Sequence, residues 1–198
     1  MATQLRTPTT CNSHQSCCRD YYCRTTMGRM NGIDVLLDFA ARPKDVLNAL
    51  PSLSAKQLNQ HPEGHPNSIA WLIWHTGREI DVQLSALTGN DELWYSSECR
   101  EALALGDAGD SLGYGHSADD AAQIQLQDAA AFEHLRSYVA ATLDALADYC
   151  RNLADDDLSD IIAEYEGQPI SRGTRLVSII DDATAHLAQA TYVAGMCE

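Results

Sequence analysis

The sequence predicts an all-α chain, a four-helix bundle with long crossover loops, and three observations carry that prediction. Apolar residues recur at helical spacing in four long stretches, and no strand-type alternation rivals them. Cap and breaker residues bound those stretches. Hydrophobic residues make up 45 % of the 198, enough for one sizeable core.

The first helix is read from Ile33, Val35, Leu36, Leu37, Phe39 and Ala40. Pro43 interrupts the pattern, and Val46, Leu47 and Leu50 resume it before Pro51. That describes one kinked helix or two short ones. Ser54-Ala-Lys-Gln57 has the form of a capping box and opens a single short turn. His61 to Asn67 (HPEGHPN) is turn chemistry. Asn67 or Ser68 caps the second helix, which runs to about Thr88 and stops at Gly89-Asn90. Residues 91–117 read as irregular, with four Gly between 106 and 115. A loop of that length is usually functional or mobile. Ser117 or Asp128 opens the third helix, which continues to about Asn152. Asp155, Asp156 and Asp157 mark a solvated break, Leu158 to Gly173 shows no clear pattern, and Thr174 begins the last helix. Four long helices with two longer crossovers define the bundle.

The formal charge of −15 is a sum of unlike parts. Residues 1–30 hold four Arg against Asp20, a net of +3, and residues 31–198 hold nine basic and 27 acidic residues, a net of −18. The domain is therefore expected at 31–198, with 1–30 a basic, Cys-rich extension outside it. Cys11, His14, Cys17 (or Cys18) and Cys23 fit no strong zinc-knuckle spacing. The extension lacks the apolar run of a secretory signal. An odd cysteine total without such a signal points to a reducing cytoplasm. The acidity argues against nucleic acid and anionic membrane surfaces as partners. No stretch approaches the roughly 18 apolar residues of a spanning helix.

The inward faces of the second and last helices carry the chemistry. Ser68, Leu72, His75, Glu79, Val82 and Ala86 form one seam at alternating spacings of four and three, and Ile179, Asp182, His186, Gln189 and Val193 form another. Both are apolar at the ends and polar in the middle. A four-residue spacing places His75 with Glu79, and Asp182 with His186, on one face. Buried unpaired, such groups cost several kcal/mol, which a divalent cation offsets. Two imidazoles and a carboxylate make an open site for a first-row metal. The competing reading is a polar layer satisfied internally, or faces turned to solvent.

At these residues the sequence resembles the DinB-like superfamily. The branch most alike includes mycothiol-dependent maleylpyruvate isomerase and related thiol-dependent S-transferases. The carrying stretches are Asn67-Ser-Ile-Ala-Trp-Leu-Ile-Trp-His75-Thr-Gly-Arg78-Glu-Ile-Asp81, Gly113-Tyr-Gly-His116, and Asp181-Asp-Ala-Thr-Ala-His186-Leu-Ala-Gln189-Ala-Thr-Tyr-Val-Ala-Gly195. The resemblance implies a four-helix bundle with a three-His metal site, one His on the second helix and an H-x-x-x-H pair on the last. His75 and His186 match two of these positions, and Asp182 stands where the third His belongs. The harder oxygen ligand widens the choice from zinc or nickel to iron or manganese. The substitution is also compatible with lost catalysis.

The resemblance further implies a low-molecular-weight thiol such as mycothiol as cosubstrate, a small-molecule substrate, and a homodimer by family analogy. The expected ligands are His75, Asp182 and His186, with Glu79 as fourth ligand or general base and Gln189 orienting a ligand or the substrate. Arg78 and Arg175 are candidates for a substrate carboxylate, with ordinary surface ion pairing as the favoured role. His116 is read as a plain loop residue rather than a lid residue, and His61, His65 and His134 as turn or surface residues. Trp74 and Tyr192 are assigned to packing, and Cys99, Cys150 and Cys197 have no paired base. The leading reading is a metal-dependent transferase or isomerase. The alternatives are a metal-dependent hydrolase, a metal- or ligand-binding bundle without turnover, and a structural bundle.

Overall fold

The four long stretches fold as helices whose ends are set by their own side chains. The computed structural model of the chain describes residues 30–196. The basic extension and the Cys11, His14, Cys17 and Cys23 spacing fall outside these residues, save Met30, and so does Cys197. Helix α1 spans Gly32–Ala49, and Asn31 and Asp34 close a reciprocal capping box at its start. The helix is continuous through the buried Pro43, so one helix, not two, fills this stretch. A four-residue helix, α2 (Ala55–Leu58), follows the Ser54 and Gln57 capping box. Helix α3 spans Ile69–Thr88, capped by Ser68 and ended by Gly89 in the left-handed conformation.

The next segment departs from the sequence reading. Residues 91–117 contain three short helices, α4 (Leu93–Ser96), α5 (Glu98–Leu103) and α6 (Gly106–Asp110). Both candidate caps downstream are used. Ser117 opens the single turn α7 (Ala118–Ala121) and Asp128 opens the long helix α8 (Ala129–Arg151). The last helix, α9 (Arg172–Ala194), starts two residues before Thr174 because Ser171 takes the cap and accepts from the Thr174 amide.

The patternless stretch before α9 is a β-hairpin, β1 (Ile161–Tyr165) against β2 (Gln168–Ser171), a small addition to the all-α bundle. Its two-residue turn, Glu166-Gly167, has φ of 50° and 76°. Two positive φ values match the right-handed twist of the flanking strands. The strands are mostly exposed, so they lack the half-buried alternation that marks a strand in a sequence. The Arg172 amide donates to the Asp160 carbonyl and joins the hairpin to α9.

Around the bundle α9 packs on α3, α3 on α8, α8 on α1, and α1 on α9. The first and second long helices therefore sit diagonally, as do the third and fourth, which is why crossovers join each pair. The core is continuous, from Leu36 and Leu47 through Ile73, Trp74 and Ile80 to Leu135, Val139, Ile179 and Leu187. Helix α3 is its spine. Every residue from Ile69 to Arg78 is buried, because α8, α9 and the 91–117 segment cover it on all sides. No helix among the described residues is long and apolar enough to cross a membrane.

Candidate metal centre

The α3–α9 contact brings the two polar seams face to face. Ligand-type atoms of His75, Asp182 and His186 lie within 4.8 Å of one another. The two imidazoles stand edge to face with ring centroids 4.9 Å apart, and His186 Nε2 is 3.4 Å from Asp182 Oδ1. Two metal–ligand bonds of about 2.1 Å span at most about 4.2 Å. At tetrahedral angles such ligands sit about 3.4 Å apart, so the widest separation in the trio has to close by about 1 Å, within the reach of side-chain rotation, for the three to hold one ion.

Each imidazole is held by its Nδ1. The Nδ1–H of His75 donates to the Leu112 carbonyl at 2.7 Å, and that of His186 donates to Gln189 Oε1 at 3.1 Å. Nε2 is thereby left as the lone-pair nitrogen of both rings, the arrangement that orients metal-ligating histidines. Gln189 thus positions His186, one of its two expected roles. Trp71 completes the setting by stacking on His75 at 4.6 Å and 21° and meeting His186 edge-on at 6.0 Å.

The charges respond to this packing. Burial pulls His75 below its ordinary 6.5, against the Leu112 hydrogen bond, so the ring is neutral near pH 7. Burial also opposes charge on His186, but the hydrogen bond and charge of Asp182 outweigh it and raise the pKa. Asp182 is depressed in turn, because His186 more than offsets its desolvation. Asp182 faces His186 Nε2 through one oxygen, Oδ1. The other oxygen, Oδ2, is buried with no hydrogen-bond partner among the described residues. Such an atom in a cluster of two histidines suits a divalent cation.

Glu79 lies one turn from His75 and outside the trio. Its Oε1 accepts from Gln83 Nε2, and Oε2 is buried and unpartnered. Burial first, and the Asp182 charge second, push this carboxyl up to about 8. A protonated carboxyl beside a metal-type trio is an acid–base group poised at neutral pH.

The 91–117 segment, read as irregular and either functional or mobile, is pinned to α3. Arg78 is 1 % exposed, not a surface residue. Its Nη2 pairs with Glu92 at 2.8 Å, and its guanidinium also donates to the Ser111 and Asp110 carbonyls. Asp81, 3 % exposed, accepts from the Leu93 and Trp94 amides at 2.8 and 2.7 Å and from the Tyr138 hydroxyl at 2.8 Å. Asp110 closes the far end by accepting from Trp94 Nε1 and from Arg100 twice. This frame delivers the Leu112 carbonyl to His75. Gly113 then passes so close, at φ 88°, that a Cβ there would lie 2.8 Å from His75 Nδ1.

His116 is also part of this wall and not a free loop residue. It accepts from Trp71 Nε1 at 3.2 Å, bonds Ser111 Oγ at 3.0 Å, and stacks on Trp74. Sequence reasoning passed over Asp81 and Gly113 as actors. The available signal was an Arg and an Asp three apart inside a run of buried apolar residues. Cys99 and Cys150 are buried, and burial pushes their thiols up to about 12 and about 11. Neither is a nucleophile at neutral pH. A cleft of about 700 Å³ opens beside His186 and Gln189, walled by Leu72, Tyr192 and Val193, with His65 and Asn67 at its edge.

Fold and site together define a helical bundle with a His/Asp/His cluster between its second and fourth long helices. The family model of the DinB superfamily matches residues 38–190, and the chain belongs to that superfamily. It is also similar to a conserved protein of Enterococcus faecalis known from a crystal structure. That likeness has 30 % identity and a TM-score of 0.75, and covers 85 % of this chain and 98 % of the other. No curated protein matches the chain significantly.

Proposed function

We propose that the chain binds one divalent metal ion through His75, Asp182 and His186 and uses it to activate a small molecule. The carrying observation is the convergence of these three side chains with Asp182 Oδ2 left buried and unpartnered. Zinc or nickel suits the two imidazoles best, and the carboxylate also admits iron or manganese. When bound, such an ion lowers the pKa of a thiol or water that joins it.

The chain's own groups supply the rest. Leu112 and Gln189 hold the two imidazoles in one tautomer. The cleft beside His186 admits the reactant from solvent and sets an apolar wall along one side of it. Glu79 in its ionised form takes the proton that the reactant loses, at Oε2. With a low-molecular-weight thiol as reactant this describes a thiol S-transferase or isomerase, the reading that superfamily membership favours. With water it describes a hydrolase, and the raised Glu79 serves that reading equally.

Elemental analysis of protein purified without added metal tests the proposal. About one equivalent per chain is expected, with clear loss in H75A and H186A. Absence of metal, with no rise in melting temperature on adding zinc, nickel or manganese, refutes it. Thiol consumption with an electrophile, lost in E79Q at unchanged metal content, assigns the transferase branch. Ester hydrolysis with the same dependence assigns the other.

A further inference from the structure

A second cleft, of about 440 Å³, lies toward the N-terminal end of α9 and is lined by Val82, Ala86, Leu87 and Ile162 together with Arg172 and Arg175. Its two arginines differ. Arg172 is fully engaged: its guanidinium pairs with Asp160 and donates to the Tyr149 hydroxyl and the Asp157 carbonyl. Arg175 has one protein acceptor among the described residues, the neutral Oε1 of Gln83 at 2.9 Å. Six of the seven described arginines form an ion pair with a carboxylate, and Arg175 does not. In a domain with nine basic and 27 acidic residues, a guanidinium at a cleft wall with no carboxylate in ion-pair contact, and only Glu79 acting on it from across Gln83, is out of balance.

We propose that Arg175 and this cleft form a subsite for a small monocarboxylate with an apolar body. A guanidinium takes a carboxylate in a two-point fork, and an ionised acceptor binds it more strongly than the neutral amide it would replace. The aliphatic wall on α3 and the hairpin accommodates the apolar body. The net charge of −18 on residues 31–198 repels multiply charged anions more than single ones, which selects against phosphate and dicarboxylates. Arg175 stands seven residues, two helical turns or about 10.5 Å of rise, before Asp182 on the same seam. Gln83 links the two places, since it accepts from Arg175 and donates to Glu79. The subsite does not depend on a metal being bound.

Calorimetric titration of the metal-stripped full chain with benzoate, at constant ionic strength, tests the assignment. Saturable binding is expected, with no binding of benzyl alcohol and weaker binding of succinate and phosphate. R175Q weakens benzoate by about tenfold or more, and H186A leaves it unchanged. The Ile162→Glu variant, an added acid on the hairpin wall, weakens it similarly and serves if R175Q does not fold. Three results overturn the subsite: no saturable binding by the wild type up to about 50 mM, wild-type affinity in R175Q or I162E, or loss of binding in H186A. The last would place the carboxylate at the His/Asp/His cluster. Failure here leaves the metal content of the protein untouched, so the two readings fall separately.

Discussion

Replacing Asp81 by Asn tests the frame that builds the site. The Asp81 carboxylate receives two backbone amides at 2.8 and 2.7 Å and the Tyr138 hydroxyl at 2.8 Å, and lies 3.6 Å from Arg78 Nη1. An Asn side chain has one oxygen for these four donors, and its NH₂ group turns against the others. Each hydrogen bond to a charged acceptor is worth about 1.5–3 kcal/mol. Removing one member of a buried ion pair costs about 3–5 kcal/mol. These contributions overlap, because the same oxygens serve both, so about 3–5 kcal/mol is the expected total. For a chain of this size that lowers the melting temperature by about 6–20 °C. Urea denaturation followed by circular dichroism measures the free energy. Limited proteolysis should find new cleavage within residues 91–117. A D81N protein within about 1 kcal/mol of the wild type, with those residues still protected, refutes the reasoning.

Gly113→Ala should cost about 1–3 kcal/mol, because an L side chain is strained at φ 88° and its Cβ would press on His75 and Trp74; a thermal melt at wild-type temperature argues against that contact. Glu79→Gln should remove a pH dependence in metal-free protein. The Glu79 carboxyl keeps its proton in the fold up to about 8 and loses it near 4.5 when unfolded, so wild-type stability falls as pH rises between these values. E79Q should match the wild type at pH 4 and exceed it by a few kcal/mol at pH 8.5, with about 5 as the ceiling; parallel urea midpoints across that range count against it. Gly77→Ala gains about 1 kcal/mol of helix propensity but sets a Cβ 2.6 Å from Tyr138 Cε1. Tyr138 is held by Asp81, so the clash should win and net destabilisation by about 1–2 kcal/mol should appear in the same denaturation assay.

What the sequence made legible was local. Ser54, Ser68, Ser117 and Asp128 act on amides three residues away, so their role as caps is written in the chain itself. The polar seam was legible for the same reason: a spacing of four fixes a helix face, and Asp182 and His186 do meet. The long-range partners were not. Arg78 reads as a surface cation until Glu92 and Ser111 are seen to fold back over it. Asp81 needs Leu93, Trp94 and Tyr138 to declare its role. The hairpin escaped because both strands are short and exposed and therefore carry no burial pattern.

The three tryptophans of the chain all stand at these joints. Trp71 stacks on His75, Trp74 donates to the Gly109 carbonyl, and Trp94 lies under the Arg78 guanidinium at 5.3 Å. No tryptophan reports on a remote part of the molecule, so its ultraviolet emission is a built-in optical probe of the site and its scaffold. If the proposed site takes a paramagnetic ion such as nickel or manganese, Trp71 emission is expected to be quenched, whereas zinc, with its closed d shell, is expected to change the spectrum without that loss. Release of the 91–117 segment exposes Trp94 and moves the emission to longer wavelength. Occupancy of the centre and integrity of its frame can thus be followed by fluorescence without a label.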